Sequence, residues 1–398
     1  MSESRFYPYL VFAICFLGVA MGAMNSVLAP SYLPDIIKEL NHFSLTSENA
    51  GAWINFSFLA GGTIGGICLG FISDWMGRKK TLAFALFLCG AGSGLGALCS
   101  SWFLLAATRF IVGIGVGAIL VVSVVILTEI WEKKTNGVAL GIMSVAYPVG
   151  IITSGLITAN VSDWKTAFVI GLLPILLIPP TMIFVKETLI QPAEDETIKN
   201  ISFGEYKHSL ISGILIYGTM LIGLWSAFAW LPTWVDTLFG NSYSDVQTQR
   251  GMAVTLLGLG GLIGGVISGW IAKQFGSRQI QGVCFILCFI LSFLLFKMTK
   301  SYSDLVLIGS GMLGFIFGVS QGVLNILIPG LFPLQLRSSA TGLCFHVGRA
   351  FTAIAVFFTG ALAIWLGGYG NAIFIFSGVY VIGWIALLFM KKEKYAAH

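Results

Sequence analysis

Charge is what this chain has least of. Asp, Glu, Lys and Arg together make up 10% of its 398 residues, where a soluble domain carries roughly a quarter. So thin a polar surface excludes a water-soluble enzyme. The net charge of +5 comes from basic residues scattered along the chain, not from a basic stripe, so no nucleic-acid partner is expected. Cysteine offers no chemistry either. The seven cysteines are an odd number, lie in or at the ends of apolar runs, and have no zinc-ligand spacing with histidines; Cys284 and Cys288 share only a helix face. No disulfide framework, metal centre or cofactor is expected. Any long polar segment is missing too, the longest between apolar runs being Lys186 to Lys207.

What is present is apolar: 57% of the residues are hydrophobic. Runs long enough to cross a hydrocarbon core of ~30 Å, about 20 helical residues each, fall roughly at 9–34, 50–73, 81–100, 102–128, 137–159, 165–185, 208–235, 250–272, 279–298, 304–329, 339–365 and 370–390. The expected fold is an all-α membrane protein of twelve transmembrane helices. Its first run is too long for the apolar core of a signal peptide and is read as retained.

The second half repeats the first. Gly61-Gly62-Thr63-Ile64-Gly65-Gly66, followed by Gly70, Asp74 and Gly77-Arg78-Lys79, returns as Gly260-Gly261-Leu262-Ile263-Gly264-Gly265, Gly269, Lys273 and Gly276-Ser277-Arg278. The matched glycines are displaced by the same 199 positions, from 61 to 260 and from 65 to 264. Two pseudo-symmetric six-helix bundles are therefore expected, residues 1–186 and 208–398, joined by a cytoplasmic loop at 187–207. The basic residues orient them. Arg5, Arg78, Lys79, Lys80, Lys133, Lys134, Lys186, Lys199, Lys207, Lys273, Arg278, Arg337, Lys391, Lys392 and Lys394 fall on one side, Lys38, Lys165, Arg250, Lys297 and Lys300 on the other. Both termini are thus expected in the cytoplasm, in a multi-pass protein of the cell inner membrane.

Three short patterns invite other readings. Gly90-Ala91-Gly92-Ser93-Gly94 and Gly113-Ile114-Gly115-Val116-Gly117 resemble dinucleotide loops, yet each sits inside an apolar run, where small residues let helices approach. Gly318-Val319-Ser320-Gln321-Gly322 matches a serine-hydrolase pattern in letters only, since no strand-to-helix elbow fits inside a membrane span.

Gly70-Phe71-Ile72-Ser73-Asp74-Trp75-Met76-Gly77-Arg78-Lys79, between spans two and three, resembles the signature loop of the major facilitator superfamily. Arg109-Phe110-Ile111-Val112-Gly113-Ile114-Gly115 in span four resembles its second signature. Phe332-Pro333-Leu334-Gln335-Leu336-Arg337, with Ala340-Thr341-Gly342 and Gly348-Arg349, is similar to the segment from span ten to span eleven in its sugar and organic-acid proton symporters. Ala229-Trp230-Leu231-Pro232-Thr233-Trp234, and Trp164-Lys165 with Phe168, fit that branch as well. The resemblance implies two bundles around a central cavity that opens alternately to either side. It also implies a gate in which Asp74 faces the N-terminus of span eleven and Arg78 pairs with Glu129, with Gly70 and Gly77 shaping the loop. Glycines of spans two and eight are expected to pack helices of opposite halves together.

Ionisable groups deep in a membrane cost at least ~2.5–3.5 kcal/mol and so imply a partner or a function. Arg109 and Arg349 are deep, the latter about 14 Å into its helix if that starts near Ala340, whereas Asp35, Asp74 and Glu129 lie near span ends. The cavity is expected to be electropositive, with Arg349 offering a fork to an anion. Asn25, Asn55, Gln321 and Asn325 are candidate hydrogen-bonding residues, Tyr147, Trp225 and Trp230 candidate apolar walls. Where many relatives carry a proton-binding Asp, aligned by the resemblance, this chain has Asn25, which cannot titrate. His346, three residues before Arg349 on the same face, is the candidate replacement.

The reading is a secondary transporter, not an enzyme, that moves a small organic anion by alternating access with protons as coupling ion, and acts as a monomer in the lipid bilayer. An exporter of drugs or of a metabolite such as a siderophore is the alternative, although Ala146-Tyr147-Pro148-Val149-Gly150 has only part of the antiporter pattern of span five. A transport-dead nutrient sensor is a third reading, without the soluble extension that would relay a signal.

Overall fold

Twelve helices long and apolar enough to cross a bilayer occur among the residues that the computed structural model describes, 6–40, 46–132, 135–187, 206–240 and 245–390. They are α1 (Tyr7–Leu40), α2 (Ser47–Met76), α3 (Arg78–Ala97), α4 (Trp102–Ile130), α5 (Gly137–Asn160), α6 (Trp164–Phe184), α7 (Lys207–Phe239), α8 (Val246–Phe275), α9 (Ser277–Met298), α10 (Asp304–Leu331), α11 (Leu334–Ala361) and α12 (Tyr369–Phe389). Most of the expected joining segment 187–207 lies outside the described residues.

Lipid offers the backbone no hydrogen bonds, so each span closes its own as a helix. Helix α1 outruns its apolar stretch, continuing through Pro30 and Pro34 to Leu40. Helix α7 likewise runs unbroken through Pro232, whereas in α5 and α6 proline breaks the ladder one turn upstream, where its ring meets the carbonyl four residues back. In α5 the helix interrupts at Val145, just after Ser144, four residues before Pro148. In α6 the first segment stops at Ile170, four residues before Pro174.

The duplication survives in three dimensions. Gly77 and Gly276 both take positive φ, 92° and 84°, between α2 and α3 and between α8 and α9. A side chain is strained there, so glycine recurs where the chain reverses. The expectation that glycines of spans two and eight pack opposite halves together holds for Gly251 and Gly258 of α8, which lie against Ala159 and Ile152 of α5, but the first members of the doublets pack otherwise. Gly61 and Gly65 pack on α4 of their own half, where an added Cβ would lie 2.1 Å from the Phe110 carbonyl oxygen and 2.2 Å from that of Ile114. Gly260 and Gly264 do the same in the second half, 2.0 Å from the Gly311 oxygen and 2.1 Å from the Phe315 oxygen. Gly113 and Gly117 answer from α4, as helix-packing glycines do. Only the second members of the first doublets, Gly62 and Gly66, look across to the other half, towards Arg349 and His346.

Helices α1 and α7 are the most enclosed, with 67% and 83% of an apolar stretch in each buried, against 33% for α5, α6, α11 and α12. The halves meet most tightly at the end opposite the termini. There Gly155 of α5 lies against the Gly251 backbone of α8, Gln247 donates to the carbonyls of Thr158 and Val161, and Trp53 and Phe56 meet the Phe357 ring edge-on. Towards the termini the same helices part, and a Cβ at Gly141, Gly265, Gly269 or Gly342 would touch nothing within 4 Å.

Candidate functional site

A cavity of about 290 Å³ lies between the halves. Tyr147, Pro148 and Ile151 of α5 and Leu120 of α4 form one wall; Trp225 and Phe228 of α7, Phe317, Gln321 and Asn325 of α10, and Phe345 and Arg349 of α11 form the other. Gly261 and Gly265 of α8 complete it. Arg349 is the one charged residue among them, and no carboxylate lines the cavity among the described residues.

Arg349 is 3% exposed, and its Nε and Nη2 are enclosed without a protein hydrogen-bond partner. It fits because Gly62 has no side chain, since a Cβ there would lie 2.1 Å from Nη2. A guanidinium so enclosed is costly unless something meets it. The polar groups beside it are partly engaged. Tyr147 donates its hydroxyl to Ser26 Oγ at 3.1 Å, and Asn325 Oδ1 accepts from the Tyr217 hydroxyl at 3.3 Å. Gln321 Nε2 is enclosed without a partner. The chamber thus offers two unspent donors, a cation and an amide, among aromatic walls. Trp225 stacks its ring edge-on against Tyr147 and Phe228 at 6.4 and 5.8 Å.

Five of the ten candidate substrate residues, Tyr147, Trp225, Gln321, Asn325 and Arg349, line this cavity. The others do not. Asn55 and Arg109 border a separate void of about 10 Å³ with Ser26 and Trp225. Arg109 Nη2 donates to the Asn25 carbonyl at 2.6 Å, and its guanidinium lies 4.9 Å from the Phe58 ring and 5.8 Å from that of Phe168. The Asn25 amide is turned the other way, onto the carbonyls of Gly171 at 3.1 Å and Met21 at 3.2 Å. Asn25 and Arg109 are therefore neighbours, as aligned, but they tie α1, α4 and α6 together inside the first half. Trp230 is fully buried, donates to the Val356 carbonyl at 3.0 Å and stacks on Tyr369, so it is an interhelical tie. His346 packs against Gly66 in the contact of α2 with α11, its Nδ1 enclosed without a partner.

At the loop between α2 and α3, Arg78 Nε donates to Glu129 Oε1 of α4 at 3.1 Å, while its Nη1 bonds Asp74 and, at 2.6 Å, Ser73 Oγ. Asp74 is half-exposed, its side chain at 52% against 9% for Arg78. The pairing of Arg78 with Glu129 stands as expected. Its neighbour Glu187 accepts from the Lys79 amide at 3.1 Å, at the start of α3, and fills the space above Gly77.

A cluster at the opposite end was missed. Arg250, which opens the apolar run 250–272 and from the sequence counts only among the basic residues of the side opposite the termini, is buried in α8 and gives Nη2 to Asp35 of α1 at 2.6 Å, with Asp236 of α7 3.7 Å from Nη1. The available signal was an arginine within two turns of the start of α8 and an aspartate within two turns of the end of α1.

A model of the Major Facilitator Superfamily matches residues 14–349. A cis,cis-muconate transport protein of Acinetobacter baylyi is 24% identical over 97% of this chain and 95% of its own. A sialic acid transporter of Escherichia coli is 28% identical over 78% of this chain and 77% of its own. The crystal structure of a D-xylose-proton symporter superposes with a TM-score of 0.79 at 19% identity, covering 97% of this chain and 98% of that one. With two six-helix halves, a cavity between them and a family model spanning both, this chain belongs to the Major Facilitator Superfamily, a family of transporters and not of enzymes.

Proposed function

We propose that the chain carries a small organic anion, a carboxylate or similar metabolite, by alternating access and with protons as coupling ion. One observation carries the reading: the chamber holds a single enclosed cation, Arg349, with unspent donors and no lining carboxylate. An anion would supply the missing partner, and charge-assisted bonds to a guanidinium are stronger than neutral ones. The relatives named for muconate and sialic acid, both carboxylates, support it. In this reading Gly70, Asp74, Gly77, Arg78 and Glu129 gate the end that bears the termini, and residues 1–186 and 208–398 act as the two rocking units. The protein works as a monomer in an inner membrane.

Thermal-shift screening of the purified protein against carboxylates, sugars, phosphorylated metabolites and cationic drugs tests the substrate class, since a ligand of the folded state raises stability. Stabilisation by carboxylates supports it; stabilisation by sugars or cations alone overturns it. The orientation, from the basic residues, puts both termini in the cytoplasm. A membrane-impermeant reagent should reach a tag after His398 only in opened cells, and labelling of intact cells would reverse every statement of inside and outside.

A further inference from the structure

We propose that the carried anion is a monocarboxylate with a flat, unhydroxylated aromatic body, held with its carboxylate at Arg349 and Gln321 and its body in the end of the chamber that lies away from the termini. The inference deepens the anion reading and rests on it.

Polarity changes along the chamber. On α10 the lining residues Phe317, Gln321 and Asn325 follow one another by one turn, about 6 Å per step, in order from the end where the halves meet towards the termini. On α5, Ile151 and Tyr147 stand in the same order. The polar lining residues Ser144, Tyr147, Gln321, Asn325 and Arg349 thus occupy the middle of the chamber and its open side. Towards the closed end the side chains are apolar or aromatic, among them Ile151, Trp225, Phe228, Leu257 and Phe317, and none bears a hydroxyl, an amide or a charge.

Each end selects. The Nε and Nη2 of Arg349 and the Nε2 of Gln321, enclosed and without a protein partner, are donors that one carboxylate takes up. A second carboxylate on the same molecule would lie in the closed end with no cation to meet it, and the hydroxyls of a sugar-like body would lie there without hydrogen bonds. Both are costly away from water. The rings select the shape of the body. Trp225 and Phe317 each meet Phe228 edge-on, with centroids 5.8 and 6.4 Å apart and planes at 78° and 61°, so the three form one aromatic wall. A planar ring adds to such a wall in the same edge and face geometries. At about 290 Å³ the chamber is at the small end for a ligand site, which suits a single ring.

The test is calorimetric titration of the purified full-length protein at pH 7 with 4-methylbenzoate, terephthalate and glucuronate, three acids built on a six-membered ring. 4-Methylbenzoate should bind. The other two should bind at least about tenfold more weakly, because terephthalate puts a charge, and glucuronate hydroxyls, where the closed end offers no partner. Phe317→Leu, which keeps that end apolar, should weaken 4-methylbenzoate roughly fivefold, as loss of one aromatic contact does. Smaller discrimination, no binding of 4-methylbenzoate, or equal affinity in Phe317→Leu overturns the proposal; should that variant not fold, the wild-type series decides alone. Preference for terephthalate or glucuronate would overturn this inference and leave the anion reading standing. Binding of none of the three, with stabilisation by neutral sugars or cations alone, would overturn both.

Discussion

Arg349 differs from Arg109 in what surrounds it. Both are buried with two guanidinium nitrogens unpartnered, Nε and Nη1 in Arg109 and Nε and Nη2 in Arg349, but Arg109 gives Nη2 to a carbonyl and lies against two aromatic rings, while Arg349 lines the chamber. Arg349→Lys keeps the charge and loses the planar fork. Anion affinity should then fall by roughly 1–3 kcal/mol, and further in Arg349→Gln, measured by calorimetric titration with a carboxylate found in the thermal-shift screen. Equal affinity in all three proteins would remove Arg349 from the site. His346, which packs on Gly66 away from the lining, should be dispensable: His346→Asn should keep both anion affinity and the pH dependence of uptake between about pH 5 and 8. A flattened uptake profile in that variant would return the proton to His346.

Adjacent residues of one helix serve different halves. Gly61→Ala would set a Cβ 2.1 Å from the Phe110 carbonyl, backbone that cannot swing aside, and so should push α2 from α4. Gly62→Ala would meet the far end of the Arg349 side chain, which can move. The first should lower stability by about 1–3 kcal/mol, as overpacking does, and the second should spare stability but weaken anion binding. Thermal denaturation and calorimetric titration of the two variants check this, and the reverse pattern would exchange their roles. The doublets were legible as a repeat from their spacing, and α5 and α6 break where Pro148 and Pro174 require. Which glycine faces which half was not legible, because neighbours on a helix point about 100° apart and only the tertiary packing assigns the faces. For the same reason the sequence reads Trp230 as a candidate wall and Asn25 as a candidate hydrogen-bonding residue: a buried ring or amide looks alike in sequence whether it meets a ligand or a carbonyl. The pair of Asp35 with Arg250 lies 215 residues apart in the chain, and neither residue sits in a motif.

The whole molecule is closed at one end and open at the other. Backbone contact at Gly155 and Gly251 and the Arg250 ion pairs shut the end opposite the termini, while Gly265, Gly269 and Gly342 stand clear on the terminal side. Transport requires the reverse arrangement as well, in which the terminal ends of α2 and α11 come together. The loop after α2 is built for that step. Arg78 is held by Glu129 at 3.1 Å and by Ser73 at 2.6 Å as well as by Asp74, so the half-exposed Asp74 can leave it without stranding the arginine and meet the N-terminus of α11, where the helix dipole favours an anion. Asp74→Asn keeps the anchors, so the protein should fold and bind anion as the wild type does. Its closed terminal side loses the charge that favours it, so turnover in proteoliposomes should fall more than affinity, by about three- to fivefold if the dipole interaction contributes ~0.6–1 kcal/mol. Counterflow by equal amounts of inserted protein measures it. Turnover equal to the wild type would mean that the terminal side closes without Asp74, leaving Arg78 and Glu129 as a structural brace.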